Sequence, residues 1–434
     1  MTDDPSNPAS ILVGLCDING VHRGKRIPAA QLDKLRADGV RMPVSICTVD
    51  IWGRDIEGSE LVFDTGDADG ICRPIGDRVH PSPWLGEGAG FLPVWMWEED
   101  GSPHPTDSRQ VLSAVLDRYR AAGLTPVVAT ELEFYLIDTP APEARPVAPR
   151  VEHILSLAEL ERLSPFFDDV YAACADQGVA IDTAISEGGR GQYEINLRHR
   201  DDALRAADDA VLFKRIVKGF ASAHGYDATF MAKPFGHSAG SGMHVHFSLL
   251  DRTGRNVFDD GTEAGSDTMR HAIGGLVGAM AESTLILAPH HNSYRRIRPN
   301  SHAPIGIGWG YENRTAAIRV PGGDTASRRI EHRVAGADAN PYLVLAAILG
   351  AALDGIDRGA TPPDPTEGNA YEADLPELPL TWAAAIDAFE AGETMARIFH
   401  PQFRGLFARA KRQELERFLE TVTMFEYATY RESV

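Results

Sequence analysis

The chain has no Walker A loop, no closely spaced cysteine pair and no apolar run long enough to cross a bilayer, and its 42 basic residues are outnumbered by 62 acidic ones. Each shortage removes a class of protein. Without a P-loop, any nucleotide is held by another device, and the run Gly86, Glu87, Gly88, Ala89, Gly90 is too weak to stand in for a dinucleotide loop. Cys16, Cys47, Cys72 and Cys174 are scattered and form no CxxC, which argues for reduced thiols in a cytoplasmic protein. The longest uncharged apolar stretch, 341–353, falls short of the ~20 residues that span a membrane and reads as a buried helix with Asn340 as N-cap and Pro341 at its first position. Residues 1–4 lack the basic start and apolar run of a signal peptide. A net charge of −20 disfavours nucleic acid and anionic membranes as partners, and is weakly compatible with a cationic substrate.

At 434 residues, 43% of them apolar, the chain can bury a large core and has room for two domains. Segments 11–17 and 22–27 flank a turn at Asn19-Gly20 and predict a hairpin. A short helix opens at Pro28, and 74–93 reads as a Pro- and Gly-rich loop or linker. Helical spacing recurs at 107–122, 158–177, 202–223, 268–288, 341–356 and 405–427, with a strand at 126–137. The stretch 361–379, rich in Pro, Glu and Asp, reads as an exposed excursion. Strands mixed with helices, without regular βαβ alternation, favour an α+β fold.

Four segments carry the chemistry. Glu131-Leu132-Glu133-Phe134, the stretch 187–194, His244-Val245-His246-Phe247 and Arg329-Ile330-Glu331-His332-Arg333 read as strands with one polar and one apolar face. Alternation then projects Glu131 with Glu133, His244 with His246, and Arg329 with Glu331 and Arg333. The ordinary fates of such residues are a solvated edge strand, satisfied core histidines and surface salt bridges. Against these, the two glutamates follow the apolar Val127-Val128, the two histidines follow the small residues 239–242, and Arg314, Arg319, Arg329 and Arg333 sit in or beside strand-like segments. Carboxylates with imidazole and no thiolate favour Mg2+ or Mn2+ over zinc, and such ions beside arginines imply phosphoryl chemistry.

At these residues the chain resembles the glutamine synthetase family, and within it the branch that makes γ-glutamylpolyamines. The resemblance runs through the segments 17–28, 131–136, 191–196, 230–234, 240–246, 292–296, 313–315 and 333–342, in order. It implies an N-terminal β-grasp domain over 1–100 and a catalytic domain over 101–434, whose antiparallel sheet forms a half-barrel flanked by helices. It also implies a homo-oligomer, a dodecamer of two stacked rings, with each site completed by a neighbour. Glu133, Glu187 and Glu194 then match the ligands of one metal, and Glu131, His244 and Glu331 those of a second. Gly240, Arg296 and Arg333 match glutamate-binding positions. Arg314, Arg319 and Arg329 match groups that hold the transferring phosphate, and His246 and Ser248 match ATP contacts. The implied reaction is attack of the glutamate γ-carboxylate on ATP to give γ-glutamyl phosphate, followed by attack of an amine nitrogen.

The chain departs from this pattern where the nucleophile would enter. The flap position that carries an acid in glutamine synthetases is His302, within 298–304, and the loop that supplies an ammonium-binding acid reads Arg41, Met42, Pro43, Val44, Ser45, Ile46. The residue before Gly240, an asparagine in the family, is Ala239. With both acids replaced, the expected nucleophile is a primary amine or polyamine entering through an apolar, less charged mouth. The alternatives are a glutamine synthetase using ammonia, a non-catalytic regulatory or structural relative, and a metallohydrolase. The third leaves the arginines unexplained, and the second would not be expected to keep all six metal positions filled.

Overall fold

The computed structural model describes residues 10–138, 154–299 and 301–434. Residues 1–4, used above against a signal peptide, and Asn300 of the flap segment lie outside the described residues. Two sheets organise the chain. The first contains β1 (Ser10–Cys16), β2 (His22–Pro28), β3 (Val40–Pro43), β4 (Asp69–Pro74), β5 (His80–Pro81) and β6 (Ala89–Trp97), in the order β2-β1-β6-β4-β3 with β5 on β6. The predicted hairpin is present: β1 and β2 pair antiparallel from Ser10↔Pro28 to Cys16↔His22 around the Asn19-Gly20 turn. The loop expected over 74–93 is corrected, because it contains β5 and the start of β6, the central strand of this sheet. Pro93 obscured it in the sequence.

The second sheet contains β7 (Thr125–Asp138), β8 (Ile181–Ser186), β9 (Gln192–Leu197), β10 (Tyr226–Thr229), β11 (Met243–Leu250), β12 (Trp309–Tyr311), β13 (Ile318–Val320) and β14 (Ile330–His332). Its order is β12-β13-β14-β11-β7-β9-β8, with β10 on the far end of β7. All pairs are antiparallel except β12 with β13. Its apolar face is dry: Leu132, Phe134, Ile195, Val245 and Phe247 are completely buried. The Phe134 ring meets those of Phe166, Tyr193, Phe213 and Phe230, and the helix Ala203–Ala223 packs on β7 and β10. Each such side chain gains ~1.5–3 kcal/mol on burial. A one-residue slip would turn them all into the polar cavity, so the core fixes the register that the site needs.

The helices follow the predicted spacing with two breaks. The span 158–177 divides into Leu157–Arg162 and Ser164–Gln177, with Pro165 in the first turn of the second, where its missing N–H is harmless. The span 405–427 is the helix Pro401–Glu420 followed by Met424–Tyr430. The Ala-rich helix Trp382–Ala391 and the short helix Glu393–Ile398 were not expected. The exposed excursion of 361–379 is also corrected in part. Ile307 N donates to Pro376 O at 2.7 Å and Leu378 N to Ile305 O at 2.9 Å, and Ala370 and Leu378 are buried. Among the described residues no helix is long and apolar enough to cross a membrane.

Candidate active site

The polar face of the second sheet is assembled by cross-strand pairing. Glu131 on β7 lies opposite His244 on β11 and opposite Asn196 on β9, and Glu133 lies opposite Glu194. His246 pairs with Glu331 on β14, and Glu331 in turn with Arg319 on β13. Strand alternation adds Gln192 and Ser248 to the same face. Residues from five strands thus form one wall.

Hydrogen bonds tie this wall together. Glu131 takes His244 Nδ1 at 3.2 Å on one oxygen, and His246 Nε2 at 2.9 Å and Asn196 Nδ2 at 3.2 Å on the other. Glu133 Oε2 accepts from Gln192 Nε2 at 3.1 Å and from Gly242 N at 2.9 Å. Glu331 is clamped between Arg319, 2.8 Å away, and Arg333. Arg319 reaches on to Glu312 at 3.1 Å, and Arg329 Nε donates to His246 Nδ1 at 3.3 Å. Arg296 is buried with its Nη1 on Val334 O at 2.8 Å, and its stem runs under the glycine loop. A Cβ on Gly240 would fall 2.7 Å from Arg296 Cγ and 2.8 Å from Ala232 O, so this close approach requires glycine.

Burial raises Glu131, Glu331, Glu194 and Glu187 alike, and unequal neighbours then drive them apart in pKa. At Glu131 burial works upward, but the hydrogen bonds with His244 and His246 outweigh it and hold the carboxyl far below the usual range. Burial also pushes Glu331 up, while His244, Arg333 and His246 bring it below its ordinary value. Glu194 has burial and three acidic neighbours, Glu131, Glu133 and Glu187, which together push it up to about 9. Glu187 is raised to about 7 by burial and by Glu133 and Glu131. Glu194 and Glu187, unlike Glu131 and Glu331, are fully ionised at neutral pH only if positive charge is added beside them.

The donor set fits that charge. Ligand atoms of Glu131, Glu194 and His244 lie within 4.8 Å of one another, and so do those of Glu131, His246 and Glu331. All are oxygen or imidazole nitrogen, the set that suits a hard divalent ion. The buried Nε atoms of Arg319 and Arg333 have no hydrogen-bond partner, and orphaned guanidinium donors beside such a cluster suit an anion.

The structure separates the expected residues into groups. Glu131, Glu133, Glu194, His244, His246, Glu331, Arg319 and Arg333 stand together on or beside the strands. Glu187 does not sit in a strand, as expected from 187–194, but in the turn between β8 and β9, where its N donates to Gln192 O at 2.9 Å. Arg314 is likewise in an exposed turn before β13, close enough to pull the Glu187 carboxyl down. His302 is exposed with φ +61° and belongs to a loop-lined cavity at the edge of the site. The apolar mouth expected there is overturned. That cavity, about 590 Å³, is lined by Lys233, Arg295, Arg298, His237 and His302 with small residues between them. Sequence reasoning assigned no role to Gln192 or Asn196, although both stand two residues from Glu194 and share its face. It also missed Glu312, which carries no periodic signal and reaches Arg319 from a turn with φ +51°.

Such a wall, with clustered hard-metal donors beside unsatisfied arginines on a curled antiparallel sheet, defines a metal-assisted phosphoryl-transfer site. The glutamine synthetase catalytic-domain model matches residues 105–430, and the chain belongs to the glutamine synthetase family. It is 37% identical to the γ-glutamylputrescine synthetase of Escherichia coli (strain K12), over 97% of this chain and 91% of that protein. It is 34% identical to a glutamate–isopropylamine ligase of a Pseudomonas species, over 98% and 95% of the two chains. The solved structure of a GmaS–ADP complex superposes over the full length of both chains with a TM-score of 0.87 at 29% identity. The fold is that of the family's catalytic domain, with a nearly closed, barrel-like sheet.

Proposed function

We propose that the protein is an ATP-dependent glutamate–amine ligase that forms a γ-glutamylamide, ADP and phosphate. The observation that carries this reading is the replacement of the flap acid by His302, beside a wall that keeps clustered carboxylates and arginines suited to acyl-phosphate chemistry. Its likeness to ligases named for putrescine and isopropylamine supports an organic amine over ammonia.

In the first step a γ-carboxylate oxygen bonds to the terminal phosphorus of ATP and ADP leaves. In the second the amine nitrogen bonds to the γ-carbon, phosphate leaves, and the nitrogen gives up a proton. Arg296, Arg333 and the Gly240 loop hold glutamate, so that its γ-carboxylate faces the phosphate. Arg319, Arg314 and Arg329 bind the transferring phosphate, with donors fixed in advance by Glu331, Glu312 and His246. His246 and Ser248 contact ATP, and His302 faces the side from which the amine comes. Glu131, Glu133, Glu187, Glu194, His244 and Glu331 would hold two Mg2+ or Mn2+ ions, which supply charge neutralisation at the phosphate oxygens.

The same reading divides the chain into an N-terminal unit over 1–100 and a catalytic unit over 101–434, assembled into stacked rings. The C-terminal helix supports assembly: Met424 and Phe425 are 78% and 80% exposed, and Leu419, Val422, Tyr427 and Tyr430 are exposed beside them. An apolar strip of this kind is rarely left in water. Phosphate release in the presence of ATP, glutamate and Mg2+ tests the reaction. An organic amine should give a higher kcat/KM than ammonium at pH 8, and preference for ammonium over every mono-, di- and polyamine tried would make the chain a glutamine synthetase.

A further inference from the structure

The cavity at the edge of the site has an unusual lining for this chain. Acidic residues outnumber basic ones 62 to 42 overall, yet Lys233, Arg295 and Arg298 line the cavity with His237 and His302, and no Asp or Glu does. Arg295 and Arg298 are exposed, and among the described residues no carboxylate lies within ion-pair distance of either. Most other surface arginines of the chain are paired, as with Arg412 on Asp387 and Arg397 on Asp354. Two unpaired guanidinium groups at the mouth of one concavity therefore mark a place where a ligand supplies the negative charge.

The cavity is continuous in sequence with the reacting wall on three sides. Gly188 follows Glu187, Ala239 precedes Gly240, and Arg295 precedes the buried Arg296. An amine whose nitrogen reaches the γ-carbon held near Gly240 would leave its far end in this cavity. A second ammonium at that end meets two guanidinium groups, whereas a carboxylate or phosphonate is drawn in by them. The glycine and alanine positions give the connecting methylenes room. The net charge of −20 attracts cations in the far field, but the lining of this cavity is basic, and it is the local lining that sets the potential inside.

We infer that the amine substrate carries an anionic group at its far end, held by Arg298 and Arg295, so that the enzyme joins the glutamate γ-carboxyl to an amino acid or a similarly acidic amine. The inference rests on the glutamate–amine ligase reading and names the substrate class of that site.

A matched four-carbon series tests it on the assembled enzyme with ATP, Mg2+ and glutamate: 4-aminobutyrate, butylamine and 1,4-diaminobutane differ mainly in the charge of the far end. The wild-type kcat/KM should fall in that order, by on the order of tenfold across the series. Arg298→Glu should reverse it, favouring the diamine. Arg298→Gln, which keeps the stem, should flatten the series with an unchanged thermal midpoint, and so covers the case in which the glutamate variant folds badly. A wild-type preference for the diamine overturns the inference. So does an Arg298→Glu variant that lowers all three amines equally while raising KM for glutamate, because the cavity would then serve the glutamate carboxylate. Failure of every amine against ammonium is a different result, which removes the ligase reading itself.

Discussion

The strand-borne wall and the loop-lined cavity beside it are built on opposite rules. On the wall, acids are placed beside donors: Glu331 has the guanidinium groups of Arg319 and Arg333, and Glu131 has the imidazoles of His244 and His246. In the cavity, charges of one sign face each other across open space, and two of them have no partner. The wall is held on the sheet by main-chain pairing, while the cavity hangs on the segments 233–239, 295–299 and 301–302. The comparison teaches where each property of such an enzyme resides. Most of the groups proposed to carry phosphoryl transfer are placed on rigid strands, and the groups proposed to choose the nucleophile sit on loops that can change without disturbing the sheet.

The largest effect should come from breaking the wall. Glu331→Gln removes the charge that Arg319 and Arg333 share, leaving Arg333 uncompensated, Arg319 with the exposed Glu312 alone, and one proposed metal site short of a ligand. Phosphate release should fall at least ~10²-fold, the scale seen when a preorganised electrostatic group is removed. The variant should still assemble, because the Val245–His332 and Phe247–Ile330 pairs flank the site and stay apolar or internal. Turnover within tenfold of wild type, measured with amine saturating, would separate Glu331 from the chemistry.

A second, smaller effect tests whether the wall is a cation site. With no ion bound, burial and its acidic neighbours keep a proton on Glu194 up to a pH of about 9, and on Glu187 up to about 7. A divalent ion must displace those protons. The sign follows: the ion-free protein holds more protons than the loaded one, so affinity rises with pH, by roughly tenfold per unit for each proton expelled. Calorimetric titration of Mn2+ at pH 7.5 in two buffers of different ionisation enthalpy should give heats that differ in proportion to the protons released. Identical heats would show that these carboxylates are already ionised and that the wall is not proton-coupled.

Much of the wall was legible before folding because period-two alternation is a local property. Glu131 with Glu133 and His244 with His246 need only the strand, and Leu132, Phe134, Val245 and Phe247 on the reverse face need only a core. Gln192 and Asn196 followed the same rule and were readable, though passed over. Glu312 was not, since a turn places it and a turn carries no repeating signal, and Glu187 and Arg314, also in turns, received their roles only through the family resemblance. The helix break at Leu163 could be seen in Pro165, whereas β6 hid behind Pro93, which lies in a strand despite its missing donor. The basic cavity was the least legible feature. Its residues come from segments tens of positions apart, and their shared sign appears only when Lys233 and His237 are brought together with Arg295, Arg298 and His302.

The smallest predicted effect lies in the cavity and concerns His302. Substituting Glu for it places one carboxylate among Lys233, Arg295 and Arg298, where it can pair with an arginine or face the incoming nucleophile. Because the side chain is exposed, the change is screened by water and should be worth only ~0.5–1 kcal/mol, or a few-fold in a rate ratio. The ammonium-to-butylamine ratio of kcat/KM should therefore rise about two- to fivefold in His302→Glu, with KM for ATP unchanged, since the proposed ATP contacts lie on the wall. His302→Ala separates charge from size: it should leave the ratio near its wild-type value. If His302→Glu leaves the ratio unmoved while Arg298→Glu reverses the amine series, the cavity chooses the far end of the amine and the flap residue has no part in the choice. If His302→Glu instead lowers every amine and ATP turnover alike, the flap acts on the wall, and the separation between rigid chemistry and loop-borne selection does not hold at this position.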